Sequence, residues 1–580
     1  MKLRKPNALL MLLALVLVVP ALARESNAQA AKVSMPQIKF QERTLPNGMR
    51  VLSAVDHSSP TVAIQVWYHV GSKDDPTGRS GFAHLFEHIM FKATKNMKSE
   101  MMDRLTEDVG GFNNAFTNPD VTVYFEVVPS NYLETLLWAE ADRLSGLTVD
   151  DANFKSERSV VQEEFRQSYL APPYGMLEYL IEQQSFTSHP YKRPTIGSIE
   201  DLDAASIEDV RAFHKTYYRP DNATLVVAGD FDPKQFNAWV DKYLGSIPKP
   251  AIALPRVGIK EPDRTAERRI THYAANVPLP AISFTYLTPP ERSPDAEPLR
   301  VAATILAQGE SSRLYRSLIY EQQVAQSADA TPDLREDAGV FYFNVVLASG
   351  KKTEDGERAL LAEIKKMQDA PVAAAELDKA KNQLVTNELR QRETSNGKAL
   401  ALGSAAVLLG DPNRVNTDLG KLQAVTAADV QRVMKKYFTD ANRLVIVYLP
   451  EAAKTTGSLS SETVEVPLPA SEATASFEGP ALGTTAAESK NTGEIPPGRP
   501  KDAKGKHISG VVMVEVTIDE KGNVIKAKAL SGPRLLRTVA RDAAMSARFR
   551  PTLRGGSPVQ VTGVIKYDFK ADNEVKNNAR

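Results

Sequence analysis

Residues 81–91 read GFAHLFEHIMF, a short apolar run that carries the polar residues His84, Glu87 and His88. Neither proline nor a further glycine interrupts the run, so it predicts a buried helix. Residues four apart lie on one helix face, which directs the two imidazoles at the same point. Neutral imidazole is a standard zinc ligand, so this segment predicts a metal site. Glu87 stands beside the histidine pair and is placed to hold a metal-bound water rather than the metal.

A second predicted helix, over residues 151–169, carries carboxylates on an apolar stripe. The stripe has the spacing i, i+3, i+4 and i+7, and its members are Glu157, Val160, Val161 and Glu164. A buried carboxylate needs a partner, because desolvating an unpaired charge is very costly. A zinc ion would supply that partner, so the second helix supports the metal site predicted from the first.

The two helices together resemble the zinc site of the pitrilysin/insulinase family of metallopeptidases. H-x-x-E-H is the inverzincin signature, and the smaller class of this family includes the mitochondrial processing peptidase and many bacterial periplasmic relatives. The resemblance implies one Zn²⁺ per chain, bound by His84, His88 and Glu164. Glu163 is the runner-up to Glu164, but it points about 100° away around the helix.

The same resemblance implies a zinc-dependent endopeptidase that hydrolyses peptides or unfolded polypeptides in the cell envelope. Glu87 would activate a zinc-bound water. Glu157 would support the site, and both glutamates are therefore counted as catalytic residues. The alternative is a non-catalytic envelope scaffold, or a peptide-binding subunit that needs a partner chain. Inactive members of the family usually lose part of the metal set, whereas this chain keeps all of it, which favours the enzyme.

Residues 110–129 read GGFNNAFTNPDVTVYFEVVP, and the end of this segment predicts a strand. The segment resembles the part of the family fold whose strand edge pairs with the substrate backbone. Asn114, Ala115 and Thr117 fall on the matching positions and are predicted to bind substrate. Such β-augmentation relies on main-chain hydrogen bonds and gives little side-chain selectivity. An ordinary sheet strand is the alternative.

An internal repeat relates the segment that begins at Ser206 to the segment that begins at Thr426. The matched pairs are Asp209 with Asp429, Val210 with Val430, Lys215 with Lys435, and Tyr217 with Tyr437. Two such helix-then-strand units imply two copies of one α+β domain. The predicted fold class is α+β, with two homologous α/β-sandwich domains of the processing-peptidase type. We place a zinc-binding domain at 37–246 and an inactive peptidase-like domain at 265–450.

The second copy lacks H-x-x-E-H, and its only histidine is His272. The resemblance implies that this domain closes over the first and contributes an arginine and a tyrosine that bind substrate near the zinc. Arg313 matches the family's S-S-R-L. Relatives often carry Ala-Tyr slightly downstream, where this chain has Ala325 and Gln326, so Tyr320 is the substitute, seven residues from Arg313 and on the same predicted helix face. A surface salt bridge is the alternative role for Arg313.

The C-terminal part of the chain changes in composition. Residues 451–506 are rich in Ser, Thr, Ala, Glu, Pro and Gly, which predicts a flexible linker. Residues 507–572 predict two alternating strands, a helix and a final strand. This β-β-α-β order, with the string G-x-V-x-V-x-V-x-x-D-x-x-G-x-V, resembles the TonB C-terminal domain. The domain adds no catalytic constellation, and an envelope partner is its expected ligand.

Residues 1–30 carry an N-terminal positive charge, an apolar run and small-residue cleavage sites, which predicts a signal peptide. A retained membrane anchor is the alternative, although the run is shorter than the roughly 20 residues that a spanning helix needs. The protein is therefore predicted to be periplasmic or secreted. The absence of cysteine excludes disulfides, thiolate metal sites and lipoprotein attachment.

A peptide is the predicted partner, and the balance of 71 basic and 71 acidic residues gives no indication of nucleic acid. Small members of the family often work as pairs, with zinc on one chain and the arginine and tyrosine on another. This chain carries both sets, which leaves a homodimer, a paired family member and a self-sufficient chain open. The histidines outside the motif are read as structural: His57, His69, His189, His214, His272 and His507.

Overall fold

The computed structural model describes residues 36–454, 462–463, 510–531, 534–545, 547, 552–554, 557–559 and 561–569. The chain divides into two units, Met1–Glu465 and Val466–Arg580. The predicted signal peptide, most of the predicted linker and His507 lie outside the described residues. Within the described parts of the chain, no helix is long and apolar enough to cross a membrane.

The first half of the larger unit is built on a six-stranded sheet. Its strands are β1 (Gln41–Thr44), β2 (Arg50–Val55), β3 (Thr61–Tyr68), β4 (Phe112–Thr117), β5 (Thr122–Pro129) and β6 (Ala223–Gly229). Its helices are α1 (Phe82–Ile89), α2 (Met101–Glu107), α3 (Leu133–Gly146), α4 (Asp151–Phe165), α5 (Gly175–Ser185), α6 (Ile199–Asp203), α7 (Ile207–Tyr217) and α8 (Pro233–Tyr243). The sheet order is β1-β2-β6-β3-β5-β4, which leaves β4 at an edge.

The second half repeats this plan. Its strands are β7 (Arg268–Ala274), β8 (Ala281–Thr288), β9 (Ala325–Asp333), β10 (Gly339–Leu347), β11 (Arg443–Pro450) and the short β12 (Glu462–Thr463). Its helices are α9 (Ala296–Ala307), α10 (Thr353–Asp369), α11 (Ala374–Gln391), α12 (Ser395–Val407), α13 (Arg414–Ala424) and α14 (Ala427–Tyr437). The sheet order is β12-β7-β11-β8-β10-β9.

The pairing directions confirm that the two halves are copies of one α/β design. The parallel pair β2 with β6 in the first sheet corresponds to the parallel pair β7 with β11 in the second. In both sheets the pairs that follow it towards β4 or β9 are antiparallel. The short β12 adds a second parallel pair, with β7, in the second sheet. The helices that precede β6 and β11 begin alike. Ser206 and Asp209 form a capping box at the start of α7, and Thr426 and Asp429 form one at the start of α14. These reciprocal bonds satisfy first-turn N–H groups, which explains why the repeat is visible in the sequence.

In each half, one helix packs on the sheet of the other half. Helix α12 packs on β3 and β6, and α5 packs on β8 and β11. Each is the third of the five helices that lie between the corresponding strands of its own half. The core under α12 joins residues from both halves: Leu52, Ala63, Trp67, Val226, Ala399, Leu402, Ala405 and Ala406. Because a helix of the other half covers part of each sheet, the two halves bury their apolar surface together.

Gly403, on α12, allows the helix to approach Trp67. A Cβ at this position would lie 2.3 Å from Cε2 of that indole. Trp67 is 2 % exposed, and its Nε1 donates to Oε1 of Gln65 at 2.9 Å. The ring therefore has little room to move, and the contact between the halves requires a residue without a side chain.

Gly403→Ala is expected to lower the free energy of unfolding by about 1–3 kcal/mol, because the added methyl overpacks a buried ring. Urea unfolding at neutral pH would measure the change. Gly420→Ala is the matched control, since that glycine also lies within a helix, and a Cβ there would have no described atom within 4 Å. The control is expected to be neutral or stabilising. Equal stability of the two variants would contradict the close contact.

A buried ionic cluster also joins the two halves. Lys73 of the first half lies 2.9 Å from Asp120, 2.8 Å from Glu336 and 3.0 Å from Asp337, and the last two belong to the second half. Nε2 of His69 lies 2.7 Å from Glu336. Burial alone would raise the pKa of Glu336, but the hydrogen bond with His69 and the charge of Lys73 hold it down to about 2. The cluster therefore stabilises the ionised carboxylate across the interface.

This depressed pKa predicts acid sensitivity of the interface. An unfolded glutamate titrates near pH 4.3, so Glu336 contributes stability above about that pH and loses it as the pH falls towards 2. The stability difference between wild type and Glu336→Gln is expected to be largest above about pH 5 and to shrink below it. Thermal unfolding from pH 7 to pH 3 would measure this, with Glu208→Gln on an exposed helix face as control. A difference that does not change with pH would contradict the prediction.

The smaller unit, described by itself, is a three-stranded sheet with one helix. It contains β13 (Gly510–Ile518), β14 (Val524–Ser531), α15 (Arg534–Met545), β15 (Thr552–Arg554), β16 (Ser557–Val559) and β17 (Val561–Phe569). The sheet order is β14-β13-β17, and β15 and β16 pair separately. The predicted β-β-α-β order is confirmed, with one short strand pair added after the helix. Asp519 closes the first turn by accepting from the N–H groups of Lys521 and Asn523.

Candidate metal centre

Helix α1 is buried as the apolar run predicts. Its buried residues are Phe82, Ala83, His84, Leu85, Phe86 and Ile89. Phe86 stacks on Phe213 of α7 at a ring-centroid distance of 5.4 Å. The helix also packs against α4, which carries Glu157 and Glu164. Packing on both sides fixes the rotation of α1, so His84 and His88 face α4.

Three predicted ligands meet at one point. Oε2 of Glu164 lies 3.4 Å from Nε2 of His88 and 3.7 Å from Nε2 of His84. One donor atom from each of the three residues lies within 4.8 Å of the others. Bonds of about 2.0–2.1 Å to a tetrahedral zinc ion separate two ligand atoms by about 3.3 Å. The cluster is therefore slightly wider than a metal-bound set and fits the ion after small side-chain movements.

His84 supports this fit because its ring has no other hydrogen-bond partner in the described part of the chain. Its Nδ1 is buried and finds no hydrogen-bond acceptor or donor among the described residues. Its Nε2 is 3.7 Å from Glu164, which is too far for a hydrogen bond. A bound cation would give this buried imidazole the polar interaction that the described residues do not supply.

The electrostatics of the cluster favour the protonation states that bind a cation. Burial, followed by the neighbouring His88, lowers the pKa of His84 to about 4. The hydrogen bond with His88 lowers the pKa of Glu164 below its ordinary value. At neutral pH His84 is therefore neutral and Glu164 is ionised, as metal ligands must be.

Glu87 lies beside the ligands but outside their set. Thr117, at the end of β4, donates from Oγ1 to Oε2 of Glu87 at 2.6 Å. Burial raises the pKa of Glu87, while this hydrogen bond opposes the rise. The bond leaves one carboxylate oxygen to act on another molecule. The sequence places Thr117 among the substrate-binding residues, and its bond to Glu87 is a contact that the sequence pattern did not indicate.

The remaining glutamates of α4 have different environments. Glu157 is buried, with Oε1 2.9 Å from Nζ of Lys92 and Oε2 3.9 Å from Nδ1 of His88. It thus lies behind a ligand histidine, where a carboxylate can orient the ring. Glu163 is exposed and contacts Arg166 and Gln167, so the structure favours Glu164 as the ligand.

Arg313 and Tyr320 do not share a helix face, so that part of the sequence prediction is wrong. The helix changes to π-helical turns over Tyr315–Glu321, and i→i+5 hydrogen bonds widen each turn, which separates residues that an α-helix would align. Arg313 donates from Nε and Nη2 to the two carboxylate oxygens of Glu376 at 2.7 and 2.6 Å. Tyr320 is 76 % exposed. The surface salt bridge weighed for Arg313 is therefore present, within the second half.

Strand β4 lies at the edge of its sheet and contacts helix α1. Asn114 is exposed, and its Oδ1 accepts from the N–H of Ala115 at 2.8 Å. Ala115 is buried, and Thr117 points to Glu87. The three predicted substrate residues therefore share the edge strand, but two of their side chains are already committed to the protein.

The histidines outside the motif do not join the metal cluster. His189 accepts from the N–H of Tyr191, His214 stacks on Phe86, and His272 stacks on Tyr448. His57 and His69 contact Asp230 and Glu336. Each described histidine of this group thus has a local packing or ionic contact.

Two repeated α/β domains, with H-x-x-E-H on one helix and a glutamate from a second, define the inverzincin class of zinc site. The sequence profile of the insulinase family, peptidase M16, matches residues 50–198. The profile of the peptidase M16 inactive domain matches residues 204–384. The profile of the Gram-negative bacterial TonB protein C-terminal domain matches residues 497–571. The chain belongs to the insulinase family and adds a TonB C-terminal domain to its two peptidase M16 domains.

The named relatives of the chain include a zinc protease and a processing-peptidase subunit. A Helicobacter pylori protein named zinc protease PqqE is 28% identical over 414 residues, which cover 71% of this chain and 93% of the relative. An Arabidopsis thaliana protein named probable mitochondrial-processing peptidase subunit beta is 24% identical over 405 residues, which cover 68% of this chain and 76% of the relative. Neither match covers the whole of this chain.

Solved structures share the fold. The crystal structure of a protease from Helicobacter pylori has a TM-score of 0.68 and 28% identity, and covers 72% of this chain and 100% of that chain. The first half of the periplasmic protease PqqL from Escherichia coli has a TM-score of 0.58 and 20% identity, and covers 72% of this chain and 93% of that chain. The second likeness shows the fold alone.

Proposed function

We propose that this protein is a zinc-dependent endopeptidase that hydrolyses peptides or unfolded polypeptides in the cell envelope. The observation that carries the proposal is the meeting of His84, His88 and Glu164 at one point, with Glu87 next to them and outside the ligand set. Three ligands of this type leave the fourth position of a tetrahedral ion open, as catalytic zinc sites do. The names of the relatives support zinc as the ion and proteolysis as the reaction.

The chain's own residues perform the proton transfers in this proposal. When bound, zinc supplies a Lewis acid that lowers the pKa of water to about 7 and polarises a carbonyl. Glu87 accepts the proton of the attacking water and returns it to the amine of the leaving peptide. Thr117 holds one oxygen of Glu87, which orients the other for that transfer. The raised pKa of the buried Glu87 makes it a better base than an exposed glutamate.

Substrate is proposed to lie along the outer edge of β4, which pairs with no further strand among the described residues. An extended peptide would pair its main chain with this edge, which includes Asn114 and Ala115, and would place a scissile bond near α1. Arg313 and Tyr320 stay candidates for contacts from the second half. Because Arg313 is bound to Glu376, this role requires that ion pair to open or another chain to contribute the residue.

The location and the partners belong to the proposal as well. The predicted signal peptide and the TonB C-terminal domain both support an envelope location. We propose that this domain binds an envelope partner. The alternatives for the peptidase itself are a homodimer, a pair with another family member and a self-sufficient chain, which the oligomeric state of the active protein distinguishes.

Hydrolysis of a quenched mixed-peptide library by the purified chain without residues 1–30 would test the function. Zinc content is measured on the same sample, and the ion is then removed with a chelator and restored. Zinc near one per chain, with cleavage that is lost and regained with the ion, is the expected result. Zinc without cleavage of any peptide would contradict the peptidase and favour the scaffold or peptide-binding subunit.

A further inference from the structure

Helix α1, which carries His84 and His88, begins without a capping side chain of its own. Its N-cap residue is Gly81, with φ of 93° and no side chain to accept from the first-turn N–H groups. A helix leaves its first four N–H groups without partners inside the helix, and buried ones need acceptors from elsewhere. Helix α1 has only eight residues, so its first turn is half of the helix and includes His84.

Asp75 supplies the missing acceptors from six residues upstream. Its Oδ2 accepts from the N–H of Gly81 at 2.7 Å, and its Oδ1 accepts from the N–H of Ala83 at 2.9 Å. Asp75 is 3 % exposed, so water does not compete for these bonds. Burial raises the pKa of Asp75 to about 8, while the bonds from Ala83 and Gly81 oppose the rise by favouring the ionised form. Because Ala83 directly precedes His84, the carboxyl group holds the backbone on which the first ligand stands.

Asp75 is itself fixed by the segment that leads to α6. Arg193 donates from Nη1 to the main-chain oxygen of Asp75. Gly81 and Gly197 meet closely, since a Cβ at Gly197 would lie 2.5 Å from the Gly81 nitrogen. Asp201 accepts from the N–H of Ser80 at 2.9 Å. The helix start is thus enclosed on one side by residues 193–201 and on the other by the Asp75 carboxyl group.

We propose that Asp75 is a positioning residue of the metal centre, which aims His84 by fixing the first turn of α1. The inference rests on the proposed zinc site. It follows from the number of acceptors: both oxygens of the Asp75 carboxyl group accept from N–H groups, and each has a lone pair for this in either protonation state. An asparagine amide offers one acceptor oxygen and one NH₂ donor group. In Asp75→Asn, either Gly81 or Ala83 would direct its N–H at an NH₂ group. That turn would loosen, while His88, one turn later, would keep its helical hydrogen bonds.

The zinc dissociation constant, measured by competition with a chromogenic chelator, tests the proposal. Asp75→Asn is expected to weaken zinc binding by about tenfold or more, in the range found when groups that orient metal ligands are removed. Asp295→Asn is the matched control. Asp295 is also buried, at 4 % exposure, and binds Arg432, Lys436 and Tyr437 in the second half. The control is expected to lower the melting temperature without changing the zinc dissociation constant.

A folded Asp75→Asn that binds zinc as tightly as wild type would overturn the inference, even if its melting temperature falls. A second measurement uses the wild-type chain and does not depend on the variant folding. Amide hydrogen exchange should show Gly81 and Ala83 protected, and zinc should increase their protection. Rapid exchange of these amides in the zinc-bound protein would also overturn it.

The same experiment separates this inference from the proposed function. Wild type that binds zinc but cleaves no peptide contradicts the peptidase and leaves the role of Asp75 standing. Wild type that binds zinc and cleaves peptide, with an unchanged zinc dissociation constant in Asp75→Asn, contradicts the role of Asp75 alone. Wild type that binds no zinc overturns both.

Discussion

Glu87→Gln is expected to lose peptide hydrolysis while keeping its zinc. Glutamine has nearly the shape of glutamate and can still contact Thr117, but its amide cannot accept a proton from water at neutral pH. Removing a positioned general base typically lowers the rate by roughly 10²–10⁴-fold. The ligands His84, His88 and Glu164 are unchanged, so the zinc content should stay near that of wild type.

The measurement compares kcat/KM on a quenched peptide with zinc content, both on the same preparation. Glu163→Gln is the matched control, since Glu163 also carries a carboxylate near the site but is exposed and contacts Arg166 and Gln167 in the turns that follow α4. The control should keep wild-type activity. Turnover of Glu87→Gln near the wild-type rate would remove Glu87 from the mechanism. Loss of zinc together with activity would show that Glu87 acts on the metal site instead.

The grouping of the candidate metal ligands could be predicted from the sequence, because the spacing that places them lies within two short segments. The spacing of His84, Glu87 and His88 fixes their faces once the segment is helical, and the spacing of Glu157 and Glu164 does the same on α4. The resemblance to a known family then indicated that the two helices contribute to one site. The structure adds the distances between the ligand atoms, which no periodicity provides.

Contacts between distant segments could not be predicted in this way. The bond from Thr117 to Glu87 depends on how the end of β4 meets α1, and the cap from Asp75 depends on the path of an irregular loop. The packing of α5 and α12 on the sheet of the opposite half also joins segments that are far apart in the chain. Such contacts arise from tertiary packing, whereas periodicity reports only which face of an element is buried.

The pair Arg313 and Tyr320 shows a different limit. The prediction assumed α-helical geometry, but residues in the π-helical turns do not repeat with the α-helical period. A π-helical insertion leaves no simple pattern of apolar residues, so the relative direction of the two side chains could not be derived from their spacing. The ion pair between Arg313 and Glu376 joins residues far apart in the chain, and its partner could not be predicted either.

Glu164→Ala is expected to lose bound zinc and, with it, hydrolysis. Oε2 of Glu164 is the atom that both histidines approach, at 3.4 and 3.7 Å, so its removal leaves two imidazoles on one helix as the remaining ligands. Two ligands do not hold zinc as a catalytic set of three does. Because an ion that binds the folded state stabilises it, added zinc should raise the melting temperature of wild type more than that of the variant.

Elemental analysis of the purified variant and thermal unfolding with and without zinc would measure both effects. Glu163→Ala, one residue away and outside the cluster, is the matched control and should bind zinc like wild type. Glu164→Ala with zinc near one per chain would show that another carboxylate completes the site. The buried Glu157, 3.9 Å from His88, would then be the first replacement to test, because it is the nearest remaining carboxylate of α4 with a contact to a ligand histidine. Loss of zinc from the double variant Glu157→Gln/Glu164→Ala would then identify Glu157 as that carboxylate, whereas retained zinc would point to a different one.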